Sequence, residues 1–264
     1  MSVPVDQIIA VILAGGHGTR IRHLLPDLPK PMAPVMGQPF LHWVMSYLRN
    51  QGIRRVVIST GYRSEVIEDF ARSKQMSNVN VQTIRESAPM GTAGGFRYAA
   101  ETCGEKAVAW LVLNGDSLAL APLFPMLELL SDPRISGVLL GVKMTDTSRY
   151  GTVVQDSVGD LLRFDEKKPG AGIINAGVYL LRSSVLADFP PRAPLSFERE
   201  VFPALLARQL RLKVSVTQAP FLDIGTPESL QEAESFIHEH RHHFSDFGCG
   251  CAAPSYLSTR RSAK

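Results

Sequence analysis

Fixed positive charge lies beside a glycine-rich loop near the start of the sequence. Gly15, Gly16 and Gly18 follow a run of apolar residues, and Arg20 and Lys30 come shortly after them. Glycines allow backbone N–H groups to approach phosphate oxygens closely, and arginine and lysine neutralise phosphate charge. We therefore expect a binding site for a nucleotide triphosphate, with Arg20 and Lys30 on its phosphates.

Two familiar phosphate-binding loops do not fit this segment. A dinucleotide-binding loop needs a third glycine three residues after Gly18, where the chain has Ile21. A P-loop needs the sequence Gly-Lys-Ser/Thr, which this loop does not contain. The alternative without a ligand is a glycine-rich turn that only joins a strand to a helix.

Two aspartates each follow an apolar, strand-like segment. Asp116 comes after the apolar run 108–113, and Asp223 comes after the apolar pair 221–222. Carboxylates at strand ends are hard oxygen ligands that suit Mg²⁺, whose remaining positions water and phosphate oxygens fill. The alternatives are a turn at Asp116 and the entry to a helix at Asp223.

The elements that must position these residues alternate along the first half of the chain. Apolar runs predict strands, and apolar residues at helical spacing predict helices. Strands are predicted at 8–14, 56–58, 79–84, 108–113 and 137–142, and helices at 39–51, from Ser64, at 91–101 and at 122–130. This alternation is typical of a parallel sheet with crossover helices, which binds ligands outside the carboxyl ends of its strands.

The pattern changes from Tyr150 onward. The predicted elements are a β-hairpin over 152–164, a buried strand over 175–181, a helix capped by Ser196, a strand over 213–216 and a helix capped by Thr226.

Composition limits the classes of protein to which the chain can belong. Its 264 residues are 45% hydrophobic and 20% charged, which is ordinary for a soluble globular protein. The formal net charge is +3, and the sequence has no basic block typical of nucleic-acid binding. No apolar run predicts a membrane span or a signal peptide. Three unevenly spaced cysteines do not suggest a disulfide framework. We expect a cytoplasmic protein with neither nucleic acid nor a membrane as its partner.

Several short motifs occur in order between residue 8 and about residue 237. They are Gly-Gly-x-Gly-Thr-Arg at 15–20, Pro-Lys-Pro at 29–31, Gly-Thr-Ala-Gly at 91–94, Asn-Gly-Asp at 114–116, Phe-x-Glu-Lys at 164–167, Asn-Ala-Gly at 175–177 and Asp-Ile-Gly-Thr-Pro at 223–227. This series resembles that of the sugar-1-phosphate nucleotidyltransferases.

The resemblance implies an α/β fold of the nucleotide-diphospho-sugar transferase type. In that fold a Rossmann-like, mixed but mostly parallel sheet is flanked by helices. We expect a single domain over residues 1–244, with a nucleotide half at about 1–145 and a sugar-phosphate half at about 146–244, and a flexible tail over 245–264.

The resemblance also implies roles for individual residues. Arg20, Lys30 and Lys167 are the expected catalytic residues, and Asp116 and Asp223 are the expected ligands of Mg²⁺. The expected nucleotide contacts are Leu13, Ala14, Gly15, Gly16, Gly18, Thr19, Glu86, Gly91, Thr92, Asn114 and Gly115.

The sugar phosphate is expected to bind in the second half of the chain. Lys167 matches the family's lysine on the sugar phosphate, and Glu166 and Asn175 match residues that bind sugar hydroxyls. Gly151 would allow close approach of the backbone to the sugar. The alternative for Lys167 is a solvated turn shared with Lys168.

Glu86 suggests which base is bound. It stands where relatives that use uridine or thymidine nucleotides carry a glutamine. An ionised carboxylate only accepts hydrogen bonds, and guanine offers two adjacent N–H donors, whereas uracil and thymine offer one donor between acceptors. Glu86 therefore favours guanine, and a solvated surface glutamate is the alternative.

These features together predict an enzyme. Segments 26–34 and 173–177 resemble the corresponding motifs of the heptose 1-phosphate guanylyltransferases within the family. The mannose-1-phosphate guanylyltransferases are the next most similar group. The expected reaction joins GTP and D-glycero-α-D-manno-heptose 1-phosphate to give GDP-heptose and pyrophosphate, with Mg²⁺, for a surface polysaccharide. Alternatives are mannose 1-phosphate as the acceptor, UTP or dTTP as the donor, and a regulatory protein that binds a nucleotide sugar without turnover. The oligomeric state, including a homo-oligomer, stays open.

A group of histidines and cysteines near the C-terminus falls outside the family pattern. Its members are His238, His240, His242, His243, Cys249 and Cys251. A zinc site is one interpretation, and a polar, frayed helix end is the other.

Overall fold

The structure is a computed structural model that describes residues 3–73, 78–191 and 194–244. The strands are β1 (Ile8–Ala14), β2 (Pro34–Val35), β3 (Gln38–Pro39), β4 (Arg55–Thr60), β5 (Asn80–Arg85), β6 (Ala109–Asn114), β7 (Ser117–Ala119), β8 (Ile135–Met144), β9 (Thr152–Gln155), β10 (Leu161–Asp165), β11 (Gly172–Arg182), β12 (Arg211–Thr217) and β13 (Phe221–Asp223). The α-helices are α1 (Phe40–Asn50), α2 (Ser64–Ser73), α3 (Gly91–Thr102), α4 (Phe124–Leu130), α5 (Phe202–Ala207) and α6 (Pro227–Glu239).

One mixed sheet runs through the described part of the chain. Its strands follow the order β10-β9-β11-β6-β1-β4-β5, and β8 joins β11 on one side and β12 on the other. The pairs of β1 with β4 and β6, of β4 with β5 and of β8 with β12 are parallel. Because β11 is antiparallel to β6, β8 and β9, most strands run in one direction and β11 and β10 run in the other. This confirms the predicted α/β fold with a mixed, mostly parallel sheet.

Strand β1 lies at the centre because both of its faces are apolar. Ile8, Ala10 and Ile12 belong to one buried core, and Ile9 and Val11 belong to the core on the opposite face. Helices α1, α2, α4 and α6 contribute to the first core, and α3 and α5 contribute to the second. The sheet therefore lies between two layers of helices.

The predicted elements are present, although most of their bounds shift by one to three residues, and two helices show why. Helix α4 begins at Phe124 rather than at Pro122, because the first helical hydrogen bonds, from Met126 and Leu127, are accepted by the carbonyl of Leu123. Ser196 caps its helix as predicted, through Arg199 N–H, but the first turn, Phe197–Val201, is a π-helix.

No helix in the described residues is both long enough and apolar enough to cross a membrane.

Candidate active site

A cavity of about 440 Å³ opens at the carboxyl ends of the parallel strands, within the size range of small-ligand sites. Thirteen residues of the predicted site line it: Leu13, Ala14, Gly15, Gly16, Gly18, Thr19, Arg20, Lys30, Glu86, Gly91, Thr92, Asn114 and Asp116. The sequence did not predict the other lining residues, which are His17, Ile21, Pro31, Pro89, Met90 and Gly225.

The strand register brings the first loop and Asn114 to the same edge of the sheet. Leu13 in β1 lies opposite Asn114 in β6. Gly115 has a supporting position in the structure, because its N–H donates to the carbonyl of Leu13 at 2.9 Å and it is not part of the cavity lining. The glycine loop and the end of β6 thus form neighbouring parts of one wall.

Glu86 is held against the glycine loop by two hydrogen bonds. Ser59 Oγ donates to Glu86 Oε1 at 2.9 Å, and the N–H of Met90 donates to Glu86 Oε2 at 3.2 Å. A Cβ atom at Gly15 would lie 2.5 Å from Glu86 Oε1, so only glycine allows the carboxylate to lie here. A carboxylate has about four lone-pair directions, so acceptor capacity remains on Glu86.

Lys30 joins the two predicted metal ligands. Its ammonium nitrogen lies 2.6 Å from Asp116 Oδ2 and 3.4 Å from Asp223 Oδ1. The short antiparallel ladder of β7 and β13 brings the aspartates together, since Asp223 pairs with Ser117 and the N–H of Ile224 donates to the Asp116 carbonyl at 3.0 Å. Asp116 lines the cavity. Asp223 is not a lining residue, and its ion pair with Lys30 links it to the cavity wall.

The chemistry of this pair fits a divalent cation. Within the described residues no group of three or more His, Cys, Asp or Glu side chains could hold a metal ion. Mg²⁺, however, commonly takes only one or two carboxylates and completes its shell with water and phosphate oxygens. Asp116 and Asp223 already converge on one positive charge, the Lys30 ammonium, and both side chains are partly exposed.

The structure places the predicted sugar-phosphate residues outside the cavity lining. Glu166 and Lys167 are exposed in the segment that follows β10. The carbonyl of Gly151 accepts a hydrogen bond from the N–H of Asn175 at 2.9 Å. Gly151 and Asn175 are therefore bonded to each other outside the cavity lining, and Lys167 lies in a separate exposed segment.

Asn175 belongs to a hydrogen-bond network that the sequence did not predict. Its Nδ2 donates to Tyr179 Oη at 2.8 Å and to Glu198 Oε1 at 3.1 Å. Tyr179 Oη donates to the same Glu198 oxygen at 2.8 Å, and Ser196 Oγ donates to Glu198 Oε2 at 2.8 Å. Burial, followed by the nearby Glu198 carboxylate, raises the pKa of Tyr179 well above its ordinary value, so the hydroxyl keeps its proton.

The start of α3 connects this network to the cavity. The N–H of Phe197 donates to Thr92 Oγ1 at 3.2 Å, and the carbonyl of Leu195 accepts from the N–H of Ala93 at 3.0 Å. Thr92 lines the cavity, whereas Phe197 and Glu198 do not, so Glu198 is linked to the cavity wall through the hydrogen bond of the preceding residue to Thr92.

The C-terminal histidines do not form a metal site in the described part of the chain. His240 Nδ1 lies 2.9 Å from the carbonyl oxygen of Phe236, and the rings of His242 and His243 are 4.2 Å apart. Burial, with His242 and His240 nearby, lowers the pKa of His243, which opposes a positive charge there. Cys249 and Cys251, the other half of the zinc hypothesis, and the predicted tail 245–264 lie outside the described residues.

A glycine-lined cavity at the ends of parallel strands, with cations and carboxylates in its wall, defines a nucleotide-binding α/β protein. A family model described as nucleotidyl transferase matches residues 9–240. The chain therefore belongs to the nucleotidyl transferase family.

Named relatives are similar over most of the chain. D-glycero-α-D-manno-heptose 1-phosphate guanylyltransferase of Campylobacter jejuni is 34% identical over 83% of this chain and 95% of its own length. The enzyme of the same name from Aneurinibacillus thermoaerophilus is 34% identical over 85% of this chain and 96% of its own length. Mannose-1-phosphate guanylyltransferase of Mycobacterium tuberculosis is 35% identical over 84% of this chain but only 62% of its own length.

Solved structures show the same fold. HddC from Yersinia pseudotuberculosis, in a complex with GMP-PN, is 34% identical, with a TM-score of 0.76 over 86% of this chain and 98% of that chain. A glucose-1-phosphate thymidylyltransferase from Bacillus anthracis, described as putative, is 22% identical with a TM-score of 0.75, which shows the shared fold alone.

Proposed function

We propose that this chain transfers GMP from GTP to D-glycero-α-D-manno-heptose 1-phosphate, giving GDP-heptose and pyrophosphate. The observation that carries the proposal is the composition of the cavity wall. Glu86 lies against Gly15, and the Lys30–Asp116 pair lies in another part of the same wall. An acceptor for guanine and charges for a triphosphate thus border one glycine-lined space.

Glu86 would read the base. Ser59 and Met90 hold its carboxylate with one donor on each oxygen, which leaves lone pairs for the two adjacent N–H donors of guanine. Its position in the cavity lining favours this role over that of a solvated surface glutamate. The GMP-PN in the HddC complex contains a guanine nucleotide, which supports the same choice.

Arg20 and Lys30 would bind and neutralise the phosphates. The sugar phosphate is already an anionic nucleophile, so the reaction needs no catalytic base. The site has to bring two anions into line and stabilise charge on the α-phosphate and the departing pyrophosphate. Arg20 is exposed at the cavity and Lys30 lies in its wall, so both side chains can reach a bound triphosphate. Backbone N–H groups of Gly15, Gly16 and Gly18 would supply further donors.

Asp116 and Asp223 would hold Mg²⁺, which when bound adds positive charge at the phosphates. Their carboxylates meet at Lys30, so the lysine keeps them together and limits their repulsion. When a triphosphate enters, the Lys30 ammonium gains an anionic partner of higher charge.

The sugar phosphate would bind between the two halves of the domain. We assign Lys167 to its phosphate and Gly151, Glu166 and Asn175 to the sugar. The exposed position of Lys167 leaves its long side chain free to reach an incoming anion. Residues of about 1–145 would then form the nucleotide half and those of about 146–244 the sugar half, with β11 of the second half paired to β6 of the first.

Relatives support heptose over mannose as the sugar. Two of the similar relatives are heptose enzymes, each 34% identical to this chain, and segments 26–34 and 173–177 resemble the heptose group. The mannose reaction is the second candidate, because the mannose enzyme is equally similar in sequence. We place the reaction in the cytoplasm, as a step toward a surface polysaccharide, and include a homo-oligomer in the proposal.

Pyrophosphate release across four nucleotides and a panel of sugar 1-phosphates tests the proposal. We expect GTP with the heptose 1-phosphate to give the highest kcat/KM. A higher value with mannose 1-phosphate would transfer the assignment to the second candidate, and a higher value with UTP or dTTP would refute the role of Glu86. Tight binding of GDP-heptose without any turnover would indicate a regulatory protein instead.

A further inference from the structure

Glu198 has an environment that its place in the sequence does not explain. Three side chains, Asn175, Tyr179 and Ser196, donate hydrogen bonds to its two carboxylate oxygens. No Lys, Arg or His in the described ranges forms an ion pair with it, although the side chain is only partly buried. Such a carboxylate is fixed in orientation by neutral donors and keeps part of its acceptor capacity.

The direction of each hydrogen bond is set by the groups involved. Tyr179 is almost fully buried and has one proton, which it donates to Glu198, while Asn175 donates to the tyrosine oxygen. Asn175 Oδ1 accepts from the N–H of Gly177 at 3.1 Å. Both N–H donors of the Asn175 amide and one of its acceptor directions therefore have protein partners. Asn175 is largely occupied in holding Glu198, and Glu198 retains the unfilled acceptor sites.

Glu198 also lies where the two halves of the domain meet. On the nucleotide side, Phe197 is bonded to Thr92 of the cavity wall. On the sugar side, the backbone N–H of Asn175 donates a hydrogen bond to the carbonyl of Gly151. Gly177 packs against the Asn114 side chain of the cavity lining so closely that no Cβ atom would fit between them. Glu198 is outside the cavity lining and is linked to it on both sides, through Phe197 to Thr92 and through Asn175 and Gly177 to Asn114.

We propose that the Glu198 carboxylate accepts hydrogen bonds from ring hydroxyls of the sugar 1-phosphate, and that Asn175 and Tyr179 hold it in position. The inference rests on the proposed function and adds a sugar-binding residue to it. Sugar hydroxyls are the donors that match a charged acceptor without a cationic partner. Tyr179 acts through Glu198 and is a positioning residue, whereas Asn175 positions Glu198 and keeps one acceptor direction on Oδ1 for the sugar.

Glu198→Gln is the direct test, because it keeps the shape of the side chain and removes its charge. We expect the KM for the heptose 1-phosphate to rise roughly tenfold to a hundredfold, as for loss of hydrogen bonds to a charged group, with the KM for GTP within about twofold of wild type. Tyr179→Phe, which removes only the hydroxyl, should raise the same KM by roughly threefold to tenfold. Thermal denaturation checks that both variants are folded.

Glu200→Gln is the matched control in the same turn. Glu200 Oε2 accepts from the backbone N–H of Ser196 at 2.6 Å, so this carboxylate has a local structural partner. We expect its variant to keep the wild-type KM for the sugar 1-phosphate. An equal increase in this control would show that any change in the turn weakens sugar binding and would overturn the assignment.

Calorimetric titration of the heptose 1-phosphate, in the presence of a non-hydrolysable GTP analogue, gives the same comparison without turnover. Failure of the wild type to release pyrophosphate would refute the proposed function, whereas unchanged sugar affinity in both Glu198→Gln and Tyr179→Phe would refute the inference alone. If Glu198→Gln does not fold, wild-type sugar affinity in Tyr179→Phe is sufficient to overturn it.

Discussion

The ammonium group of Lys30 lies 2.6 Å from a carboxylate oxygen of Asp116, although 86 residues separate them in the chain. Asp223 meets the same ammonium from a third segment. This charge cluster is partly buried, so its attraction is screened less than that of a surface pair. It unites three separate motifs of the sequence at one point of the cavity wall.

Replacing Asp116 with Asn should abolish most turnover and leave the fold intact. The amide keeps the size of the side chain but removes the negative charge that we assign to Mg²⁺, so we expect kcat to fall by roughly a hundredfold or more. Pyrophosphate release measures the change, and thermal denaturation measures the fold. Asp69→Asn, which alters an exposed pair with Arg72, is the control and should keep full activity. Wild-type turnover in Asp116→Asn would remove the metal assignment.

Replacing Glu86 with Gln should weaken the preference for GTP. The amide replaces one acceptor oxygen by a donor, which faces an N–H donor of guanine and leaves it unpaired. We expect kcat/KM for GTP to fall by roughly tenfold to a hundredfold while the values for UTP and dTTP fall less or rise. Glu105→Gln, at the partly buried pair with Arg55, should not alter the ranking of nucleotides. An unchanged ranking in Glu86→Gln would show that the base is read elsewhere.

Replacing Gly15 with Ala should act through Glu86. The new Cβ atom would lie 2.5 Å from Glu86 Oε1 and would force the carboxylate away from Ser59. We expect the KM for GTP to rise by roughly tenfold. A double-mutant cycle with Glu86→Ala separates the causes, because the alanine removes the atom that the Cβ would meet. Additive effects in the cycle would contradict the mechanism and indicate a direct effect on the loop.

Asp160 should make stability depend on pH at the acidic end. Burial alone would raise the pKa of Asp160, but hydrogen bonds and attraction from Lys213 and Arg211 outweigh it and lower the pKa. A carboxyl group whose pKa is lower in the folded than in the unfolded state stabilises the folded protein at pH values above the unfolded-state pKa. This stabilisation is lost as the pH falls through the folded-state pKa. We expect Asp160→Asn to cost about 1 kcal/mol of unfolding free energy near neutral pH. Urea denaturation should show this difference shrinking below about pH 4, and a constant difference down to pH 2 would contradict the assignment.

Much of the fold could be predicted because local pattern and global structure agree. The alternation of apolar runs and helical spacing predicts the strands and helices, and Ser196 and Thr226 cap their helices as their side chains suggest. The β7–β13 ladder could not be predicted in this way. Each of its strands has three residues, too few for a periodic pattern, and the pairing depends on segments far apart in the chain.

The residues of the candidate site likewise fall into those that could be predicted from the sequence and those that could not. The glycine loop, Lys30 and Glu86 could be located from motif and spacing, because their roles depend on residue type at a fixed place in the chain. Ser59 and Glu198 could not, because each acts through partners on other elements and neither interrupts the pattern of its own strand or helix. Long-range hydrogen bonds leave no local signal in the sequence.

Strand β11 is hydrogen-bonded along one edge to β6 and along the other to β8, so a continuous backbone ladder joins the proposed nucleotide and sugar halves. Rotating these halves apart would break the backbone hydrogen bonds of that ladder. Leaving buried backbone groups without partners costs free energy. We therefore expect substrates to enter and products to leave without separation of the two sheet regions, with any gating confined to the loops around the cavity.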